Sequence, residues 1–374
     1  MPKIVILFLA LFVGANAYLF IRTAQALSLH GIGKIILGIV FAMLAFSYIA
    51  GHLLKNSLPF SLTVFLETIG SFWLFLMLYG LMAALLIDVI RVFNYIFHFF
   101  PQYFSTNGQN VRLITFFVSL FVIFLLYFIG YYRFLHPNTV QLSATSNCSK
   151  KANKTLNIVA ISDLHLGYIL RNQTLDRFVK LINEQKPDMV LIAGDIIDND
   201  LNALIYMKMD KQLQQIKAPM GIYACIGNHD AFGDIEKSCQ YLQAAGIHIL
   251  RDSAVLVDSC LYIVGREDVS LHSDKPLSEI LATVDRQYPV IVLDHQPSRL
   301  QESAKNEICL HLSGHTHGGQ FFPVTLLTKA MYELHHGYSR KGSTQCFVSS
   351  GLGLWGPMAR LGSSSEIVVI HLEL

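Results

Sequence analysis

The feature that most constrains this chain is a break in composition near residue 135. Before it the sequence is almost continuously apolar; after Lys150 it reads as an ordinary water-soluble protein. Four apolar stretches can be read in the first part, at 4–21, 32–54, 62–87 and 113–134. Each is close to the roughly 20 residues that a helix needs to cross hydrocarbon. Charges mark the edges of these stretches, among them Arg22, Lys34, Lys55, Asp88, Arg91, Arg112 and Arg133, and none sits mid-span. The spans therefore read as an anchor, not as an ion or proton pathway. Over the whole chain 14% of residues are charged and the mean hydropathy is +0.45. Soluble domains carry about a quarter charged residues, so part of this chain belongs in lipid.

Some details of the apolar part are open at this level. Lys3, the apolar run behind it and Ala15-Asn16-Ala17 resemble a secretory signal with a cleavage site. The apolar run continues to Ile21, however, which favours an uncleaved helix. Trp73 and the aromatic-rich stretch 92–104 suit an interfacial zone; that stretch reads either as a helix along the membrane surface or as a continuation of the third span bent at Pro101. With four spans, the N-terminus and the soluble part share one side. Lys3, Lys55, Arg133, Lys150, Lys151 and Lys154 lie on that side, against Arg22, Lys34, Arg91 and Arg112 on the other. The positive-inside rule then leans toward a cytoplasmic soluble part.

Residues 136–154 are rich in Ser, Thr and Asn and read as a linker between an anchor (1–135) and a folded domain (155–374). The net charge of +2 and the lack of any Lys/Arg cluster argue against nucleic acid as a partner. The six cysteines contain no CxxC pair, which disfavours a zinc ribbon, and they suit buried thiols. In the domain, apolar runs at 156–162, 188–193, 221–226, 261–264, 289–293, 308–312, 346–349 and 366–372 alternate with helical spacing such as 174–185. That alternation predicts a layered α/β domain with partly parallel strands.

The residues just beyond these strands carry the chemistry. After the first strand come Asp163 and His165; after the second, Gly194-Asp195; after the third, Gly227-Asn228-His229-Asp230. Later strands lead into Asp294-His295 and into Gly314-His315-Thr316-His317-Gly318-Gly319-Gln320. Carboxylates, imidazoles and an amide thus collect at strand C-termini, where open α/β sheets build sites. Hard oxygens and borderline nitrogens without thiolate suit manganese, iron or zinc in five- or six-coordination. Asp163 with His165, and His315 with His317, are two apart, so an extended backbone would aim each pair at one pocket. Gly194, Gly227 and Gly314 would let the backbone turn just before the ligands. Arg266 and Arg360 read as surface residues in preference to pocket-lining groups that bind phosphate, His335 and His336 as surface or rim residues, and His371 as part of the last strand.

These motifs, in this order, resemble the five signatures of the calcineurin-like metallophosphoesterase superfamily. The segment Gly314–Gln320 is similar to that of its bacterial membrane-associated YkuE/YaeI-like branch. The resemblance runs from about Leu156 to Leu374 and implies a layered α/β/β/α sandwich behind a multi-span α-helical membrane domain. It implies that Asp163, His165 and His317 hold one divalent metal, that Asn228, His295 and His315 hold a second, and that Asp195 bridges the two. His229 would then protonate the leaving oxygen, with Asp230 as its orienting partner. Two such ions activate water and neutralise phosphoryl oxygens during in-line attack, and a histidine near its intrinsic pKa suits the leaving-group acid.

The expected function is hydrolysis of a phosphodiester or pyrophosphate on a lipid-linked or nucleotide-lipid substrate, in a multi-pass protein of the bacterial inner membrane. One span would tether a domain; four suggest contact with an acylated substrate and membrane lipids. The alternatives are a phosphodiesterase or phosphatase acting on soluble nucleotides, and a non-catalytic metal-bound scaffold. No protein partner can be inferred.

Overall fold

In the computed structural model, residues 2–101, 107–145, 154–273 and 275–374 are described. The chain divides into two compact units, Met1–Ile129 with Gly356–Met358, and Gly130–Trp355 with Ala359–Leu374.

The first unit is built from α1 (Pro2–Ala26), α2 (Ile32–Leu54), α3 (Phe60–Phe97) and the larger part of α4 (Gly108–Leu135). All four are long and apolar enough to cross a membrane. The 38 residues of α3 extend about 57 Å at the usual helical rise, well beyond a hydrocarbon core of roughly 30 Å. Residues 92–97 therefore continue the third span, which ends where His98 turns left-handed at φ 51°. Residues 102–106 lie outside the described residues. Helix α1 runs unbroken through Ala15-Asn16-Ala17. Asn16 is engaged inside the bundle: its amide donates to the Phe12 carbonyl at 2.9 Å, and its oxygen accepts from Trp73 Nε1 at 3.0 Å. Trp73 turns inward, toward α1 and α2. It is buried, with its ring edge-on to Phe41 at 4.9 Å, because its one polar atom finds a partner within the bundle.

The second unit contains two six-stranded sheets among the described residues. The first has the order β1-β12-β2-β3-β4-β5, with β1 Asn138–Thr145, β2 Thr155–Ile161, β3 Met189–Ala193, β4 Ile222–Cys225, β5 Ile247–Ile249 and β12 Glu366–Glu373. The second has the order β10-β11-β9-β8-β7-β6, with β6 Ser253–Val257, β7 Leu261–Gly265, β8 Val290–Leu293, β9 Leu310–Ser313, β10 Gly337–Lys341 and β11 Thr344–Val348. The inner strands β3, β4 and β8 are buried at every position, which is why they read as continuous apolar runs. Leu156, Ile158, Leu191 and Ile370 of the first sheet join Leu261, Ile291, Leu310 and Phe347 of the second in one core. The helix Asn172–Glu184 buries Leu175, Phe178, Val179 and Ile182 along one stripe, at the spacing expected from sequence.

One expectation is corrected here. Eight residues of the supposed linker, Asn138–Thr145, form β1 and pair in parallel with β12, from Asn138↔Glu366 to Thr145↔Glu373. The ladder hydrogen bonds that hold this strand come from the far end of the domain, and its alternating burial leaves its polar side chains in water. Residues 146–153 lie outside the described residues.

Candidate metal centre

The parallel order β2-β3-β4 and β7-β8-β9 brings the loops after β2, β3, β4, β8 and β9 to the same ends of the two sheets. These loops carry every residue that the sequence offers as a metal ligand or catalytic group. Three groups have donor atoms within 4.8 Å of one another: Asp163, His165 and His317; His165, Asp195 and His229; and Asp195, His295 and His315. Asn228 joins the last group, its Oδ1 lying 3.2 Å from His295 Nε2 and 2.8 Å from His315 Nδ1. His165 Nε2 lies 3.1 Å from His317 Nε2 and 3.6 Å from Asp195 Oδ2, and His295 Nε2 is 3.1 Å from Asp195 Oδ2. Asp195 therefore stands between the two sets of nitrogens.

The backbone achieves this convergence by a different route from the extended alternation expected. Asp163, His165, Asp195, His315 and His317 all have positive φ, between 45° and 71°. Non-glycine residues visit this left-handed region at a cost of about 1 kcal/mol or more each, so the fold holds five strained residues at one place. Bonds between the loops hold them there. Asp163 N donates to the Gly194 carbonyl and His165 N to the Asp195 carbonyl, each at 3.0 Å, while His315 N donates to the Asp163 carboxylate at 3.0 Å. Gly194 makes its turn at φ 78°, as expected. Gly314 has another role: a Cβ there would fall 2.6 Å from Ser162 Cβ and would also strike the Asp163 carboxylate.

The electrostatics suit cations. Asp163, His165, Asp195 and His295 are buried. Burial raises the Asp163 pKa. Burial also opposes ionisation of Asp195, yet His295 and His165 hold that carboxyl well below its usual range. Asp198 is likewise held low against burial by His165 and His229. In return His165 and His295 are raised despite burial, by Asp198 and Asp195 respectively. His165 and His295 thus face Asp198 and Asp195 as counter-charges, and metal ions bound there would compete with protons for the same nitrogens. Burial pushes His315 down to about 4 and holds His317 well below the usual imidazole range, which favours neutral rings with lone pairs to offer. His295 Nδ1 lies 2.8 Å from the Ala193 carbonyl, which fixes its proton there and turns the Nε2 lone pair inward. His165 Nδ1 is buried without a hydrogen bond, 3.7 Å from Asp198. The donor set and its surroundings fit two divalent ions.

Three residues depart from expectation. Asp230 does not face His229: its carboxylate accepts from Gly227 N at 2.9 Å and Ile197 N at 2.8 Å, tying the third loop to the second. The partner of His229 is Asp198, whose Oδ1 lies 3.1 Å from His229 Nδ1. The only sequence signal for Asp198 is its place three residues after Asp195. Arg266 and Arg360 are buried, not on the surface. Arg266 pairs with Glu302 and donates to the Lys275 carbonyl at 2.8 Å, whereas Arg360 donates to the His317 carbonyl at 3.3 Å and to Gly353, bracing the last ligand loop. Beside His229 stand the rings of Phe232 at 5.5 Å and Trp355 at 6.1 Å, both exposed. His336 lies at the rim and pairs with Glu366 at 3.2 Å.

Residues 156–319, which contain every candidate ligand, match the family described as calcineurin-like phosphoesterase. An uncharacterized metallophosphoesterase of Helicobacter pylori is 32% identical over 59% of this chain and 61% of its own length. A namesake from Aquifex aeolicus is 30% identical over 58% of this chain and 85% of its own. YkuE of Bacillus subtilis, also named an uncharacterized metallophosphoesterase, is 29% identical over 65% of this chain and 89% of its own. This chain therefore spans about three-fifths of the Helicobacter relative and most of the other two.

Proposed function

Because this chain belongs to the calcineurin-like metallophosphoesterases, a family of metal-dependent phosphoric ester hydrolases, we propose that it is a membrane-anchored enzyme cleaving a phosphodiester or pyrophosphate bond on a lipid-linked or nucleotide-lipid substrate. The anchor is residues 1–135, and the catalytic domain, on the cytoplasmic side of a bacterial inner membrane, is residues 155–374 together with β1 at 138–145. Asp163, His165 and His317 would hold one ion, Asn228, His295 and His315 the other, and Asp195 would serve both. When bound, two ions of manganese, iron or zinc supply an activated water and neutralise phosphoryl charge.

The chain's own residues do the rest. His229 gives a proton to the leaving oxygen. Asp198, by accepting a hydrogen bond from the Nδ1–H of His229, leaves Nε2 to face the substrate, the same logic by which a carboxylate fixes a catalytic imidazole's tautomer elsewhere. Phe232 and Trp355 offer apolar walls to the group beyond the phosphate. The observation that carries this reading is the convergence of three carboxylates, an amide and five imidazoles from five loops. Support for the lipid-linked substrate comes from the four membrane-length helices.

The test is hydrolysis of an aryl phosphodiester by the detergent-purified full chain with added manganese, beside His229→Ala and Asp195→Asn. Activity that collapses in both variants is expected, with lipid-linked phosphates turned over faster than soluble nucleotides. Full activity in Asp195→Asn would sink the two-metal assignment, and equal rates on lipid and soluble substrates would sink the lipid assignment.

A further inference from the structure

The first unit contains a cavity of about 550 Å³ among its four helices, lined by residues of that unit alone. Its deep end is apolar, formed by Leu19, Phe41, Trp73, Leu76, Leu120 and Ile123. Small side chains on α3, Gly80, Ala83 and Ala84, leave the space that larger residues would fill. The opposite end is charged, and it contains Arg22, Asp88, Arg91 and Arg112. Asp88 lies fifteen residues beyond Trp73 on α3, so the cavity runs along roughly 22 Å of helix from aromatic floor to charged rim.

The rim is over-supplied with positive charge. Asp88 accepts from Tyr18 Oη at 2.5 Å, pairs with Arg22, and pairs with Arg91 at 3.2 Å. Arg112 is exposed and has no ion-pair partner among the described residues. Three guanidinium groups thus face one carboxylate, and the Nε of Arg22 is buried without a hydrogen bond. Guanidinium forks match phosphate oxygens, and arginines at a membrane boundary are well placed to take a lipid headgroup. Thr115 and Ser119 add hydroxyls between rim and floor, but each donates to its own helix, at Val111 and Thr115 carbonyls, so the passage inward is effectively apolar.

We propose that this cavity binds one anionic phospholipid, its phosphate at Arg22, Arg91 and Arg112 and one acyl chain reaching toward Trp73. Shape and charge both select the occupant: a free phosphate leaves the apolar end unfilled, and a zwitterionic lipid brings a cation to a rim already positive. The site is independent of the metal centre and of the reaction proposed there.

The test uses the delipidated full chain in detergent with phosphatidylglycerol, phosphatidylcholine or inorganic phosphate. Retained lipid is counted by native mass spectrometry. Quenching of Trp73 fluorescence by bromine on the acyl chain is read in a Trp355→Phe background, since the chain has two tryptophans. One phosphatidylglycerol per chain with quenching is expected, and little of either with phosphatidylcholine. Arg112→Ala, at an exposed unpaired position, should weaken retention about tenfold, the value of one charge-assisted hydrogen bond, while Arg112→Lys recovers part of it. Ala84→Leu, which narrows the cavity without touching its charges, should abolish quenching. Equal retention of both lipids, or variants that match the parent, would overturn the proposal and leave only annular lipid. Displacement of phosphatidylglycerol by millimolar inorganic phosphate would overturn the acyl-chain part.

Discussion

Replacing Asp198 by Asn removes one charge and little else, since the two side chains have nearly the same shape. Asp198 Oδ1 accepts from His229 Nδ1 at 3.1 Å, with both side chains mostly buried at 15% exposure. A hydrogen bond to a charged acceptor contributes about 1.5–3 kcal/mol, or roughly 10- to 150-fold when it serves the transition state. A partner of this kind usually costs 10–100-fold when removed, about the same range. Asp198→Asn should therefore lower kcat on an aryl phosphodiester by roughly 10–100-fold and leave KM nearly unchanged. His229→Ala should lose about 10²–10⁴-fold, and the double variant little more than His229→Ala alone, because the two residues act as a unit. His165 Nδ1 also lies 3.7 Å from Asp198, so metal content must be measured in parallel by inductively coupled plasma mass spectrometry. Two bound metals per chain with the stated loss is the expected result. Additive losses in the double variant, or a loss explained by a missing metal, would refute the positioning role.

The same geometry sets further outcomes. Chelation should abolish activity and lower the unfolding midpoint by about 5–10 °C, since ions at 100-fold excess over Kd stabilise by about 2.7 kcal/mol, and manganese should restore both. Gly314→Ala should destabilise the domain by about 1–3 kcal/mol and reduce metal stoichiometry, because its Cβ meets Ser162 and Asp163; an unchanged thermal midpoint would show that the loops yield easily. His311, with ring nitrogens 2.7 Å and 3.0 Å from the Ser303 and Ser313 hydroxyls, is held neutral by burial with its pKa down at about 4. Its folded pKa is below the unfolded value of about 6.5, so its contribution is intact above pH 6.5 and falls as the unfolded state takes up a proton between pH 6.5 and 4. The loss reaches up to about 3 kcal/mol, and His311→Gln should flatten the dependence of the unfolding midpoint on pH across that window.

The parts legible in sequence are those where one local pattern suffices. Residues 189–193 and 290–293 read as strands because both faces are buried and every side chain is apolar. The residues that converge at the candidate metal centre are legible because carboxylates and imidazoles directly after buried strands have few structural uses. Asn138–Thr145 and Gly337–Lys341 were not, since each is a half-exposed edge strand whose identity comes from its partner. Asp198 escaped notice because it lies in an irregular loop, and only the folded chain brings it to His229. Asp230 misled for the converse reason. Proximity in sequence to His229 suggested a side-chain partner, but at the start of a short helix the carboxylate turns back to cap the backbone.

The position of β12 has a consequence for how the domain comes into being. The last strand of the chain lies between the first two of its sheet, pairing with β1 on one side and β2 on the other. A ribosome thus delivers the four hydrophobic helices before the strand that seals this sheet. Until Glu366–Glu373 emerges, β2 has an open edge beside the loop of Asp163 and His165, and that edge is available to any other strand nearby. The loop of Asp163 and His165 thus gains its finished sheet only once Glu366–Glu373 has been made, well after the four hydrophobic helices.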